Sequence, residues 1–215
     1  MLSKICRAAV LELEGSGVGV SVLTDDGARG IFAASDDLTH LLEELQFTLG
    51  EGPCIDSFLT RRPVLIADLA GDTARTRWPF YVQAVTAHGV RAVFAFPLQV
   101  GAARVGALAL FSKQPGPLGR DVLAQALTFA EIALTTVLDS RGALPEHFSV
   151  QGLYESPGYR AELAQAQGMV MVQLNVSISE ALIRLRAHAY AEGRPMHQVA
   201  QDVIDRKLRF DQVQP

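Results

Sequence analysis

The stretch YRAELAQAQGMVMVQLNVSISEALIRLRAHAYAEGRPMHQVAQDVIDRKLRF, residues 159–210, divides by its own punctuation into three short helices. Leu163, Ala166, Val170 and Leu174 recur at helical spacing and give the first one apolar stripe. Asn175 ends it. Ser177-Ile178-Ser179-Glu180 then reads as a capping box, with serine at the N-cap and glutamate three residues on. Leu182, Leu185 and Ala189 form the second stripe, stopped by Gly193 in a left-handed turn and by Pro195. Val199, Val203 and Ile204 form the third. A three-helix unit of this size encloses too little volume for a catalytic pocket, which points to a recognition module.

Upstream the periodicity changes. Leu2, Ile5, Cys6, Ala9, Val10 and Leu13 predict an amphipathic helix over residues 1–14. GVGVSVLT (17–24) and ARGIFAAS (28–35) read as strands, with Asp25-Asp26-Gly27 as a hairpin turn between them. Asp36 and Asp37 cap a helix that runs through Phe47. A short strand over 63–68, a helix over 78–88, two long apolar strands at 91–100 and 103–112, and a helix over 118–139 complete the segment. This is an α+β pattern, an antiparallel sheet flanked by helices. Residues 140–158, SRGALPEHFSVQGLYESPG, lack periodicity and predict a linker. The expected organisation is a sensor-like domain at 1–139, a linker at 140–158 and a three-helix domain at 159–215.

The closing helix 118–139 carries two apolar stripes. Leu118, Val122, Ala126, Phe129, Ala133 and Val137 form one; Leu123, Leu127, Ala130, Leu134 and Leu138 form the other. Covering a sheet needs only one stripe. The N-terminal helix could cover the second within the chain, or the two helices could pack against those of a second chain. The second arrangement predicts a homodimer.

At 215 residues and 49% hydrophobic, the chain can bury the cores of one large or two small domains. No continuous apolar run approaches the roughly 18 residues of a membrane span. The start Met1-Leu2-Ser3-Lys4 lacks a signal-peptide pattern, and two cysteines make no disulfide framework. The expectation is a cytoplasmic protein with no membrane partner. Residues 1–158 hold 12 Lys+Arg against 17 Asp+Glu, and residues 159–215 hold 7 against 6. A tail at +1 gives no strong electrostatic sign of nucleic acid.

Motifs carry the functional reading further. Gln165-Ala166-x-Gly168 with its following apolar run, Ala181, Leu185-Arg186, Ala189, Arg194 and Val199-Ala200-x-x-Val203 resemble an ANTAR domain, the RNA-binding output module of bacterial antiterminators. LGEGPC (49–54), PVLIADL (63–69), RAVFAFPL (91–98) and RVGALALFS (104–112) resemble a GAF domain. Together they resemble a GAF–ANTAR regulator of actinobacterial type. The resemblance implies a sensor that controls binding of nascent stem-loops and thereby transcription antitermination. The family usually places a lysine where Gln167 stands, so one positive charge is missing from the implied RNA face.

Arg186, Tyr190 and Arg194 lie at i, i+4 and i+8, with Gly193 setting the last beyond the helix. Guanidinium groups meet phosphates and base edges, and the ring offers a stacking surface for an unpaired base. Gln165 can hydrogen-bond a base edge, and Gly168 would permit close approach of another backbone. The structural alternatives are a solvated face for the arginines, helix packing for Gly168 and partial burial for Gln167. Arg184 and His188 share a different face.

In the sensor half, Cys54 precedes a predicted short helix, where the dipole would lower a thiol pKa; its alternative is a small buried hydrophobe. With Trp78, Phe94 and Phe96 it forms the candidate pocket for a small-molecule ligand, although those aromatics also suit a core. Cys54 is the only candidate nucleophile for a GAF-fold thiol enzyme of the free methionine sulfoxide reductase type. The other cysteine, Cys6, lies 48 positions away on an apolar helix face. A third alternative is a sensor whose tail binds a protein partner. His40, His88, His147, His188 and His197 show no metal-ligand spacing, and no residue pattern selects a cofactor.

Overall fold

A computed structural model of the chain describes residues 2–23, 29–142 and 159–210. The chain divides into two compact units, residues 1–143 and 144–215. The expected Asp25-Asp26-Gly27 turn and most of the expected linker lie outside the described residues.

The first unit runs α1 (Leu2–Glu12), β1 (Gly17–Leu23), β2 (Arg29–Ala34), α2 (Asp37–Leu49), α3 (Pro53–Thr60), β3 (Val64–Ile66), α4 (Asp72–Arg77), α5 (Pro79–Ala87), β4 (Ala92–Val100), β5 (Ala103–Ser112) and α6 (Arg120–Gly142). The strands form one antiparallel sheet in the order β2-β1-β5-β4-β3. Short α4 was not foreseen, and α6 runs on to Gly142 rather than stopping at residue 139.

Strand alternation sorts the core onto two faces. Val93 pairs with Phe111 and Ala95 with Ala109, and these residues pack with Cys54, Tyr81 and Trp78 beneath α2, α3 and α5. Phe94 pairs with Leu110 and Phe96 with Leu108 on the opposite face, the one covered by α1 and α6. Small residues let α2 lie close on β1: a side chain at Gly17 would collide with Thr39, and one at Gly19 with Glu43.

Helix α6 corrects one expectation. Over Arg120–Asp139 it is long enough, with a mean hydropathy of 1.4, to cross a membrane by length and composition. Its Ala126, Ala130, Ala133 and Val137 form one stripe buried against the sheet and α1, while the rest of this stretch is half-buried or exposed.

The second unit holds α7 (Tyr159–Leu174), α8 (Ile178–Ala191) and α9 (Met196–Ile204). Asn175 ends α7 with φ +54°, and Gly193 follows α8 with φ +60°. Ser177 caps α8 by accepting from the Glu180 amide at 3.2 Å. The Glu180 carboxylate completes no reciprocal box; it reaches Arg184 instead, at 3.0 Å. Ala166, Val170, Ala181, Leu185, Ala189, Met196, Val199, Ala200 and Val203 form the core. Truncating fully buried Leu185 to alanine would cost on the order of 2–5 kcal/mol.

Candidate functional site

Helix α8 presents the first candidate surface. Arg186 and Tyr190 stand one turn apart, and Tyr190 is 53% exposed beside exposed Ile183 and Ala187. A half-buried guanidinium next to an open ring can meet a phosphate while a base stacks on the aromatic face. On α7, Gln165 is exposed, in line with Gly168 and the 74% exposed Val172.

Two residues of the expected RNA set have intramolecular partners. Gln167 donates its amide Nε2 to the Ile178 carbonyl at 2.7 Å, tying α7 to the first turn of α8. Arg194 donates to Asp202 Oδ2 at 2.6 Å, joining the α8–α9 turn to α9. Gly168 admits no close neighbour: a Cβ built there meets nothing within 4 Å. Among the described residues of this unit no other backbone makes the close approach that Gly168 would permit.

Residues 205–210 supply a feature missed from sequence. After α9 the chain turns at Arg206 (φ +60°), and the amides of Lys207 and Leu208 donate to the Asp202 carbonyl at 2.8 and 3.0 Å. Leu208 and Phe210 pack on the helical core while Arg206, Lys207 and Arg209 stay exposed. The in–out alternation of residues 207–210 was the available signal.

The sensor half holds a buried polar cluster. Glu43 lies fully buried between α2 and β1, where its carboxylate accepts from Ser21 Oγ at 2.5 Å and from Cys54 Sγ at 3.6 Å. Burial raises its pKa to about 7, against the lowering effect of those two donors. Gln46, one turn on, accepts from the Cys54 amide at 2.7 Å. Gln46 Nε2 and Tyr81 Oη are buried without a hydrogen-bond partner among the described residues. The LGEGPC motif builds this junction. Gly50 closes α2 in the left-handed region, the Glu51 carboxylate accepts from the Phe80 and Tyr81 amides at 2.8 Å each, and Gly52 (φ +145°) makes room for Gln46.

Two expectations for this half are corrected. Cys54 sits in the first turn of α3, yet burial and the Glu43 carboxyl push its thiol well above the ordinary value, overriding the helix dipole. Cys6 is also buried and raised, to about 12. Both thiols are buried and shifted toward the protonated form. Nor do Cys54, Trp78, Phe94 and Phe96 line one pocket, because Phe94 and Phe96 project from the other face of β4. Trp78 is pinned in the core, its Nε1 donating to Asp56 at 3.1 Å. Among the described residues a groove of about 540 Å³ lies instead along edge strand β3, lined by Thr60, Arg62, Val64, Leu65, Ile66 and Arg77. The same residues offer no cluster of three or more potential metal ligands.

A five-stranded antiparallel sheet between two helical layers, joined to a three-helix unit, defines a sensor-type domain with a small helical output domain. Comparison bears this out. The GAF domain family model matches residues 1–137 and the ANTAR domain model residues 155–204. The chain belongs to the GAF domain family and has the two-domain GAF–ANTAR architecture, that of a regulator with an RNA-binding type of output domain. Solved structures show the fold of the first unit. A domain from Sinorhizobium meliloti 1021, described as part of a two-component sensor histidine kinase, is 16% identical with a TM-score of 0.53, over 66% of this chain and 91% of that one. The GAF domain region of a Geobacter sulfurreducens PCA protein is 15% identical with a TM-score of 0.52, over 64% and 91%. A red/green cyanobacteriochrome in its red light-absorbing state is 12% identical with a TM-score of 0.51, over 67% and 96%. The comparison with curated proteins gave no match.

Proposed function

We propose that this chain is a cytoplasmic transcription antitermination regulator, whose helical domain binds stem-loops in nascent RNA under the control of its GAF domain. The observation that carries the reading is the pairing of half-buried Arg186 with exposed Tyr190, one turn apart on α8, within a domain of RNA-binding type. By holding a stem-loop, such a domain would keep the overlapping terminator hairpin from forming. Gel-shift with a hairpin RNA tests it: Arg186→Ala and Tyr190→Ala should each weaken binding at least about fivefold, stacking alone contributing roughly 1–3 kcal/mol per base. Binding indifferent to both changes would refute the reading.

The regulator acts as a homodimer through α1 and α6. Leu127 is 44% exposed, in line with half-buried Leu123, Leu134 and Leu138, so this stripe of α6 is incompletely covered by α1 and the sheet. Leu11 on α1 is 81% exposed. Sedimentation of Leu127→Asp should report a monomer where the parent chain is a dimer. The signal is a small molecule received by the GAF domain, and dimer geometry is the two-state element that changes the presentation of the two tails.

A further inference from the structure

The three-helix core is electrically neutral. Residues 159–204 hold Arg160, Arg184, Arg186 and Arg194 against Glu162, Glu180, Glu192 and Asp202, four of each sign. Attraction to a phosphate backbone grows with the number of cations that displace condensed counterions, so this core draws RNA weakly. Among the described residues Arg184 is in addition paired with Glu180, and Arg194 with Asp202.

The positive charge lies in the following residues. Segment 205–210 carries Arg206, Lys207 and Arg209 against Asp205, a net of +2, and it lies beyond the stretch matched by the ANTAR model. It is fastened at both ends. Its beginning hangs on the Asp202 carbonyl, and at its end the Phe210 amide donates to Gln173 Oε1 of α7 at 2.9 Å. The Phe210 ring meets His188 of α8 edge-on, with centroids 5.5 Å apart. Lys207 pairs with Asp205 at 2.8 Å, but its side chain is 67% exposed. Among the described residues no carboxylate is paired with Arg206 or Arg209. His188 stands one turn from exposed Arg184, roughly 160–200° around α8 from Arg186 and Tyr190 at about 100° per residue. The strap thus adds a basic surface on the side of α8 away from the proposed base-reading pair.

We propose that Arg206, Lys207 and Arg209 form a second RNA site, which grips the phosphodiester backbone independently of base sequence. This rests on the RNA-binding reading of the domain. Fastening matters energetically, because cations held in place by Phe210 and Leu208 lose less freedom on binding than those of a loose tail. Division of labour follows: α8 discriminates between loops, and the strap supplies the sequence-independent attraction.

The test uses the full chain and two hairpin RNAs that share a stem and differ in loop sequence, with affinity measured from ~50 to ~200 mM salt. The variant Arg206→Gln/Lys207→Gln/Arg209→Gln should lower the slope of log affinity against log salt by about 2, at ~0.7–0.9 per phosphate contact. That makes the parent chain lose on the order of tenfold more affinity than the variant across this salt range. Both hairpins should be affected equally. Phe210→Ala, which unfastens the strap without changing its charge, should weaken both hairpins by a smaller factor. Arg186→Ala should instead reduce the preference between loops and change the slope by no more than about one. A triple variant with parental slope and affinity overturns the strap site alone. Absence of RNA binding by the parent chain overturns both the strap and the reading on which it rests.

Discussion

Glu43→Gln is the sharpest perturbation of the sensor half. The carboxyl is fully buried and titrates at about 7 in the folded chain, against 4.5 for a solvated glutamate. Between those two values the folded state holds a proton that the unfolded state has released. Stability must therefore fall as pH rises from 4.5 through 7, and stay low above. The full difference is worth roughly 3 kcal/mol, from about 1.4 kcal/mol per pH unit. Glutamine never pays this cost. It does lose one acceptor, since Ser21 and Cys54 both donate to the carboxyl, and that costs about 1 kcal/mol at any pH.

The expected result is a difference that grows with pH: Glu43→Gln is about as stable as the parent chain near pH 5 and more stable by about 2 kcal/mol near pH 8. Urea unfolding followed by the fluorescence of Trp78, the chain's one tryptophan and buried in the same core, reads this unit specifically. Cys6, Cys54 and Tyr81 are all pushed upward and Asp36 and Asp68 downward, so none of them titrates in the folded chain between pH 5 and 8. A difference between variant and parent that stays constant across pH would show that Glu43 is not held protonated by burial.

Three further outcomes are expected. Gly168→Ala should raise the stability of the helical unit by about 1 kcal/mol in thermal melts, because a mid-helix glycine is exchanged for the best helix former where nothing obstructs a methyl group. RNA affinity should drop in the same variant if the ligand backbone approaches there. Asp202→Asn should cost only about 0.5 kcal/mol, as expected for a partly exposed ion pair, and should strengthen RNA binding by releasing Arg194; unchanged affinity would make Arg194 purely a tie between helices. Both cysteines should resist alkylation in the native protein at pH 8 and react promptly in urea, as followed by mass spectrometry.

Most of the fold was legible because its elements are amphipathic in the ordinary sense. The stripes of α7, α8 and α9 place apolar groups inward at the expected period, and the unbroken apolar runs of β4 and β5 suit strands buried on both faces. Helix α2 was harder, because the stripe it buries includes Thr39, Glu43 and Gln46. Polar residues at helical spacing normally mark the solvent side, and only the glycines of the facing β1 hint otherwise. The aromatic pocket misled for a related reason. Residue type places Phe94 and Phe96 in a core, but which of two cores depends on strand parity relative to Cys54, which lies on a different element. For Gln167 and Arg194 the limit was competition: each can reach a neighbouring backbone or carboxylate as well as RNA, and only coordinates reveal the intramolecular partner.

The charge distribution also bears on why the proposed regulator would be dimeric. A neutral helical core with a strap of net +2 makes few phosphate contacts, and a single such module would hold RNA poorly at physiological salt. Joining two modules through α1 and α6 makes the second contact intramolecular, at effective concentrations in the millimolar range, and can multiply avidity by ~10²–10⁴ without any new interaction. That gain exists only while both tails can reach the same transcript. A GAF domain that alters tail spacing therefore need not touch the RNA surface at all, and weak single modules make the output more responsive to geometry. Leu127→Asp should then reduce affinity for a two-hairpin transcript by at least a hundredfold while leaving binding to one isolated hairpin unchanged. An equal loss on both transcripts would place the effect of α6 in the folding of the chain rather than in pairing the tails.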